Sequence, residues 1–157
     1  MNNAIKIRPT TRDDLPATKK LVADNLPAFG YAYDHAGSER DLENFSSVYQ
    51  QPGSVFFVIS DGSEILGTVG LVKISDDVVK LRKMYVDNRL RGQGYGLKLL
   101  RTAVSEATSF GYKKIRLETI HLMHHAIRLY TTFGFSVIPG SLIRRGVILP
   151  WSWCCDH

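Results

Sequence analysis

A chain of 157 residues, 44% apolar and 22% charged, has the size and composition of one domain spanning 1–157, with enough apolar matter for a buried core. Its net charge of +5 is modest and not gathered into a stripe with interleaved aromatics, so a nucleic-acid partner is not expected. No apolar run approaches a membrane span and no signal-type leader opens the chain, so the expectation is a cytoplasmic protein without a membrane partner.

Residues 4–8 alternate like a strand, closed by Pro9. Thr10 or Thr11 then caps a helix with Asp13 and Asp14 in its first turn, where negative charge suits the dipole. Leu15, Val22 and Leu26 give that helix an apolar face, and it ends near Pro27. Residues 29–35 are rich in aromatics: Phe29, Tyr31 and Tyr33. Ser38 and Asp41 resemble a capping box that opens a second helix running to about Gln50, where Gln51, Pro52 and Gly53 break it.

Strands over 55–60 and 64–74 follow, joined by the hairpin signal Asp61-Gly62. Gly67 and Gly70 within the second mark a bulge or a close backbone approach. A third strand of the meander covers 78–86. Three antiparallel strands before the first crossover argue against a doubly wound nucleotide fold, which alternates strand and helix from its start.

The stretch from Leu81 to Phe110 carries the chemistry. A strand ending Met84-Tyr85-Val86 runs into Arg91-Gly92-Gln93-Gly94-Tyr95-Gly96, and Leu97, Leu100, Ala103, Val104, Ala107 and Phe110 then repeat at helical spacing. Strand, glycine loop and helix make an anion grip, because first-turn amides lack acceptors and sit at the positive end of the macrodipole. Arg89 and Arg91 are expected to add mobile positive charge. The dinucleotide fingerprint fails at Leu97, and no Walker Gly-Lys-Ser/Thr occurs.

A further strand is expected over 112–120. Ala126, Leu129, Tyr130 and Phe133 then form one helical stripe, Gly134 stops the helix, and Phe135 opens another strand. Pro139-Gly140 and Pro150 leave 147–149 as the only candidate for a last strand, followed by Trp151, Trp153 and the vicinal Cys154 and Cys155. The tryptophans raise the possibility of a homodimer contact.

Arg91-Gly-Gln-Gly-Tyr-Gly96 between that strand and that helix resembles the acyl-CoA-binding motif of the GNAT superfamily of N-acetyltransferases. The run Ala126-Ile-Arg-Leu-Tyr-Thr-Thr-Phe-Gly-Phe135 is similar to the family's second signature, at its usual distance and in the usual order. The resemblance implies a mixed α/β GNAT fold. Its central twisted mixed sheet would have about six to seven strands, an antiparallel N-terminal meander, a parallel pair splayed around the CoA arm, and helices on both faces. It implies acetyl-CoA as acyl donor and an amine acceptor, a small molecule or a peptide or protein amine. Backbone groups of Met84, Tyr85 and Val86 would hold the pantetheine arm, Arg91, Gly92, Gln93, Gly94, Tyr95 and Gly96 the pyrophosphate, with Ala126 alongside. Phe29, Tyr31 and Tyr33 fall where the family binds its acceptor.

By the same resemblance Tyr130 is the general acid toward the departing thiolate; its alternative is a core aromatic on the helical stripe. Two departures stand out. Met123 replaces a frequent Asn, so a cofactor hydrogen bond is lost or comes from His124. Lys80 replaces a frequent Glu, which moves the general base to Glu118, with water or His35 as rivals. A non-catalytic acyl-CoA-binding module is the alternative these departures leave open. His121, His124 and His125 lack a carboxylate or thiolate to complete a tetrahedral set, and no metal is expected.

Overall fold

The structure, a computed structural model, describes residues 4–120, 122–138 and 148–154. In chain order it has β1 (Lys6–Pro9), α1 (Leu15–Asn25), α2 (Arg40–Glu43), α3 (Phe45–Tyr49), β2 (Val55–Ser60), β3 (Ile65–Lys73) and β4 (Val78–Val86), then α4 (Tyr95–Ser109), β5 (Lys114–Ile120), α5 (His124–Phe133), β6 (Ser136–Val137) and β7 (Ile148–Cys154). The strands form one sheet in the order β1-β2-β3-β4-β5-β7-β6. Among the described residues only β4 and β5 pair in parallel; their crossover is α4, as a parallel connection requires.

Helices cover both faces. On one, Leu99, Leu100, Ala103, Val104 and Ala107 of α4 bury against Val69, Leu71, Val79, Leu81, Ile115 and Leu117. On the other, Val22, Leu26, Leu42, Phe45 and Tyr49 close over Phe56 and Val58. Leu100, Ala103, Val104 and Ala107 of the expected stripe are buried and Leu99 joins them, whereas Leu97 is partly exposed and Phe110, past the helix end, is exposed. Glycines in β3 permit the close packing. A Cβ on Gly70 would lie 2.6 Å from the Tyr49 ring, and one on Gly67 2.5 Å from Ile59 Cδ1.

The feature that opens the site is a bulge in β4. Thr68 pairs with Tyr85 and Gly70 with Arg82, so Val69 faces two residues, Lys83 and Met84. Lys83 takes up the extra length at φ +54, a left-handed conformation that costs a non-glycine residue of the order of 1 kcal/mol. The Thr68 hydroxyl donates to the Lys83 carbonyl at 2.7 Å and pins the kink. Parallel pairing with β5 stops just before it: Val78 to Leu81 pair with Lys114 to Leu117, and from Arg82 onward the strands separate.

Two sequence expectations are corrected. The helix expected from Ser38 to Gln50 is two short helices broken at Asn44, and the first is preceded by Glu39 without a side-chain cap. Ser38 instead turns its carbonyl to Arg82 and Lys83, so burial of Glu39 and Asp41 against those cations outweighs the capping pattern. The last strand is not confined to 147–149, of which Val147 lies outside the described residues; it runs through Pro150 to Cys154. Pro150 pairs with Glu118 on β5 within a strand that continues to Cys154, and β6 meets β7 at Trp151 and Ser152. His121, Pro139, Gly140 and Cys155 also lie outside the described residues. Among the described residues no helix is long and apolar enough to cross a membrane.

Candidate active site

Where β4 and β5 part, two cavities meet. The larger, about 440 Å³, runs from the splay to the start of α4 and is lined by Met84, Tyr85, Val86, Leu90, Arg91, Gly92, Gly94, Tyr95 and Gly96, by 122–126 and Leu129, and by Asn25, Ala28 and Phe29. The smaller, about 240 Å³, holds Tyr31, Glu39, Lys80, Arg82, Lys83, Glu118, Thr119 and Tyr130. Met84, Tyr85 and Met123 line both, and so form the junction.

The loop before α4 is shaped to leave amides bare. Gly92 and Gly94 stand at φ +75 and +82, a region glycine enters without strain, and a Cβ at either would touch nothing within 4 Å. The amides of Arg91 and Gln93 already donate to the Asn88 and Leu90 carbonyls. Those of Gly92 and Gly94 have no acceptor among the described residues, and Tyr95 and Gly96 are first-turn positions of a 15-residue helix. The amides without an acceptor among the described residues are thus fewer than the six residues of the motif. Gln93 does not line the cavity; its amide nitrogen Nε2 turns back to the Arg89 carbonyl at 2.9 Å.

Arg89 does not supply the mobile charge expected of it. Its guanidinium is held by Asp87 at 3.0 Å and Glu64 at 2.8 Å, a pairing that a short 3₁₀ turn over Asn88–Leu90 enforces. Arg91 does face the cavity, steadied by Asn25 Oδ1 at 3.2 Å from the end of α1. That contact, like the whole contribution of α1, carried no motif to announce it.

Tyr130 projects from α5 to the junction. It is buried, and its hydroxyl has one soft partner, the Met84 sulfur at 3.8 Å. Burial, and secondarily Tyr85, push its pKa above the ordinary phenol range, so it holds its proton at neutral pH. Tyr85 is pushed up to about 12, again by burial first and then by Glu39 and Asp41. Glu118 lies in the smaller cavity, half exposed, with Oε1 3.0 Å from Lys80 Nζ. Met123 takes a hydrogen bond from Thr119 at 3.5 Å, and His124 and His125 line the larger cavity.

The aromatic trio is divided. Phe29 faces the larger cavity and Tyr31 the smaller, while Tyr33 lines neither and donates to Glu43 at 3.0 Å. His35 Nδ1 lies 3.0 Å from the same Glu43, which ties that rival base to a carboxylate outside both cavities.

Glu39 and Lys83 of the smaller cavity belong to a charged cluster the sequence did not reveal. Lys83 Nζ sits 2.6 Å from the Ser38 carbonyl, 3.3 Å from Asp41 and 3.6 Å from Glu39, all three charged side chains 6% exposed or less. Tyr49 donates to Asp41, and Arg82 approaches it at 3.7 Å. Desolvation lowers the Lys83 pKa while both carboxylates oppose the shift. Lys83→Met would leave two buried carboxylates poorly compensated and should cost about 3–5 kcal/mol of folding stability. Chemical denaturation checks this; a loss below about 1 kcal/mol would show that the cluster is not held together by Lys83.

A family model described as the acetyltransferase (GNAT) family matches residues 18–135. The chain belongs to the GNAT family. It is 30% identical over 151 residues to YjgM of Escherichia coli K12, an uncharacterized N-acetyltransferase, and the match covers 90% of both proteins. Human N-acetyltransferase 8B is 31% identical over 101 residues, 60% of this chain but 44% of that one. The crystal structure of a GNAT acetyltransferase from Staphylococcus aureus Mu50 superposes at a TM-score of 0.85 with 25% identity, covering 98% of this chain and all of that one. As a GNAT member the chain is an acetyl-CoA-dependent acetyltransferase.

Proposed function

We propose that the protein transfers acetyl from acetyl-CoA directly to a primary amine, with donor and acceptor bound together, one in each cavity. The observation that carries this reading is the junction: the donor and acceptor cavities share Met84, Tyr85 and Met123, and the Tyr130 hydroxyl meets Met84 there. Among the described residues the β5-facing edge of β4 is unpaired beyond Leu81, so backbone groups of Met84 to Val86 are available to bind a pantetheine arm as a strand would. The bare amides of Gly92, Gly94, Tyr95 and Gly96 hold the pyrophosphate, aided by Arg91, and Ala126 flanks the arm.

The chemistry needs no covalent intermediate, because a thioester is already activated and positioning supplies much of the rate. Glu118 accepts the proton of the incoming ammonium, which frees the lone pair for attack. Tyr130 donates a hydrogen bond to the sulfur as charge develops on it. Tyr31 flanks the acceptor and Phe29 the donor.

The base is tested by Glu118→Gln. It should lower kcat/KM at neutral pH, and the deficit should shrink as pH rises toward the amine's own pKa, because the amine then arrives neutral. Parallel pH profiles for parent and variant would assign deprotonation to bulk solvent instead. Isothermal calorimetry with acetyl-CoA, followed by a survey of amines for acetyl-CoA consumption, tests the reaction; tight donor binding with no acceptor used would favour a regulatory module.

A further inference from the structure

The charges around the acceptor cavity fall into two sets. The inner set closes on itself: Lys83 lies between Glu39 and Asp41, and their side chains are 3–6% exposed. The outer set faces the cavity and solvent: Lys80 at 25% side-chain exposure, Arg82 at 31% and Glu118 at 46%. Lys80 pairs with Glu118, and Arg82 approaches Asp41, which it shares with Lys83, so the whole cluster holds three cations against three carboxylates.

Their placement follows from the strands. Lys80 and Arg82 are two apart on β4 and point away from the face that buries Val79 and Leu81. Lys80 pairs in register with Arg116, so Glu118 is the next same-face residue of β5, within reach of the Lys80 ammonium. Arg82 uses one nitrogen on the Ser38 carbonyl at 3.2 Å and another at 3.7 Å from Asp41. A guanidinium has five donors, so others remain for a ligand.

On the proposed mechanism, from which this inference starts, Glu118 must receive the acceptor's ammonium. Turning to it, Glu118 leaves Lys80 without its partner, and a plain amine adds a fourth cation to Lys80, Arg82 and Lys83 against the three carboxylates Glu118, Asp41 and Glu39. An acceptor that brings its own anion removes the conflict, because its carboxylate replaces Glu118 at Lys80 and takes a fork of hydrogen bonds from Arg82. We propose that the acceptor is a small zwitterion, an amine bearing a carboxylate close by as in a free amino acid, and that Lys80 and Arg82 select it through that carboxylate. A cavity of about 240 Å³ is below the usual range for drug-sized ligands and suits a molecule of this size.

The test is acetyl transfer to the common amino acids, each paired with its α-amide and its decarboxylated amine, with spermidine as an amine lacking any carboxylate. The expected result is at least about tenfold higher kcat/KM for the free acid than for either matched analogue, the range that one lost ion-paired contact gives. The α-amide amine is the less basic and arrives more often neutral, so a preference for the acid cannot come from amine protonation. Lys80→Met and Arg82→Met should each bring the acid-to-amide ratio toward one, chiefly through KM for the acid. Arg82→Lys, which keeps the charge beside Asp41, should retain part of the preference and controls for folding. Amides or spermidine used as well as the free acids would overturn the inference and leave acetyl transfer standing. Transfer to peptide N-termini in preference to free amino acids would overturn it too. No transfer to any amine, with acetyl-CoA bound, would overturn this inference and the proposed reaction together.

Discussion

Tyr130→Phe should slow acetyl transfer by about 10²–10³-fold at saturating substrates, with little change in Tm or in acetyl-CoA affinity. Phe keeps the ring that packs 5.7 Å from Phe135, and the only hydrogen bond the hydroxyl loses among the described residues is the one to the Met84 sulfur. Sulfur is a weak acceptor, so little stability goes with that bond. The same weakness suits the role, since a hydroxyl resting on a thioether is readily diverted to a sulfur that is gaining charge. Its raised pKa sets the pH dependence. A phenol less acidic than a thiol stabilises the developing thiolate by hydrogen bonding rather than by complete proton transfer, and it stays protonated as pH rises. The parent kcat should therefore show no fall attributable to Tyr130 below about pH 10. Stopped assays of the variant across pH 6–10 decide the matter: a kcat equal to the parent's would reduce Tyr130 to a core aromatic.

The elements legible in the sequence were those whose local signals agreed with their tertiary setting. The meander, the Gly92–Gly94 turn, α4 and α5 all read from periodicity and glycine placement, and their packing then followed. What escaped was non-local. Lys83 looks like one more charged strand residue, yet a one-residue bulge turns it inward onto Glu39 and Asp41, some forty positions earlier. Arg89 and Arg91 are indistinguishable as letters beside a phosphate loop, and only the positions of Glu64, Asp87 and Asn25 separate them. The last strand runs past Pro150, which by letter alone would break it, because Glu118 of β5 pairs with Pro150 and the strand continues to Cys154.

Gly94→Trp should weaken acetyl-CoA binding by about 2–4 kcal/mol, the worth of several charge-assisted hydrogen bonds to the pyrophosphate. Gly94 precedes α4 at φ +82, and the space a Cβ would enter is open. An indole there meets no protein atom at its first carbon, so it projects over the bare amides and blocks the ligand rather than the fold. Part of the effect would be backbone strain, of the order of 1 kcal/mol in stability. Gly111 separates the two contributions. It has φ +88, equally open space and a place after the C-terminal end of α4, away from the donor cavity. Gly111→Trp should lower Tm by a similar amount and leave acetyl-CoA affinity at the parent value. Gly94→Ala should fall between, with the strain but little of the occlusion. Calorimetric titration of the three variants reads the ordering directly. Equal losses at Gly94 and Gly111 would mean that the binding defect reports a damaged fold, and unchanged binding by Gly94→Trp would move the pyrophosphate away from this loop.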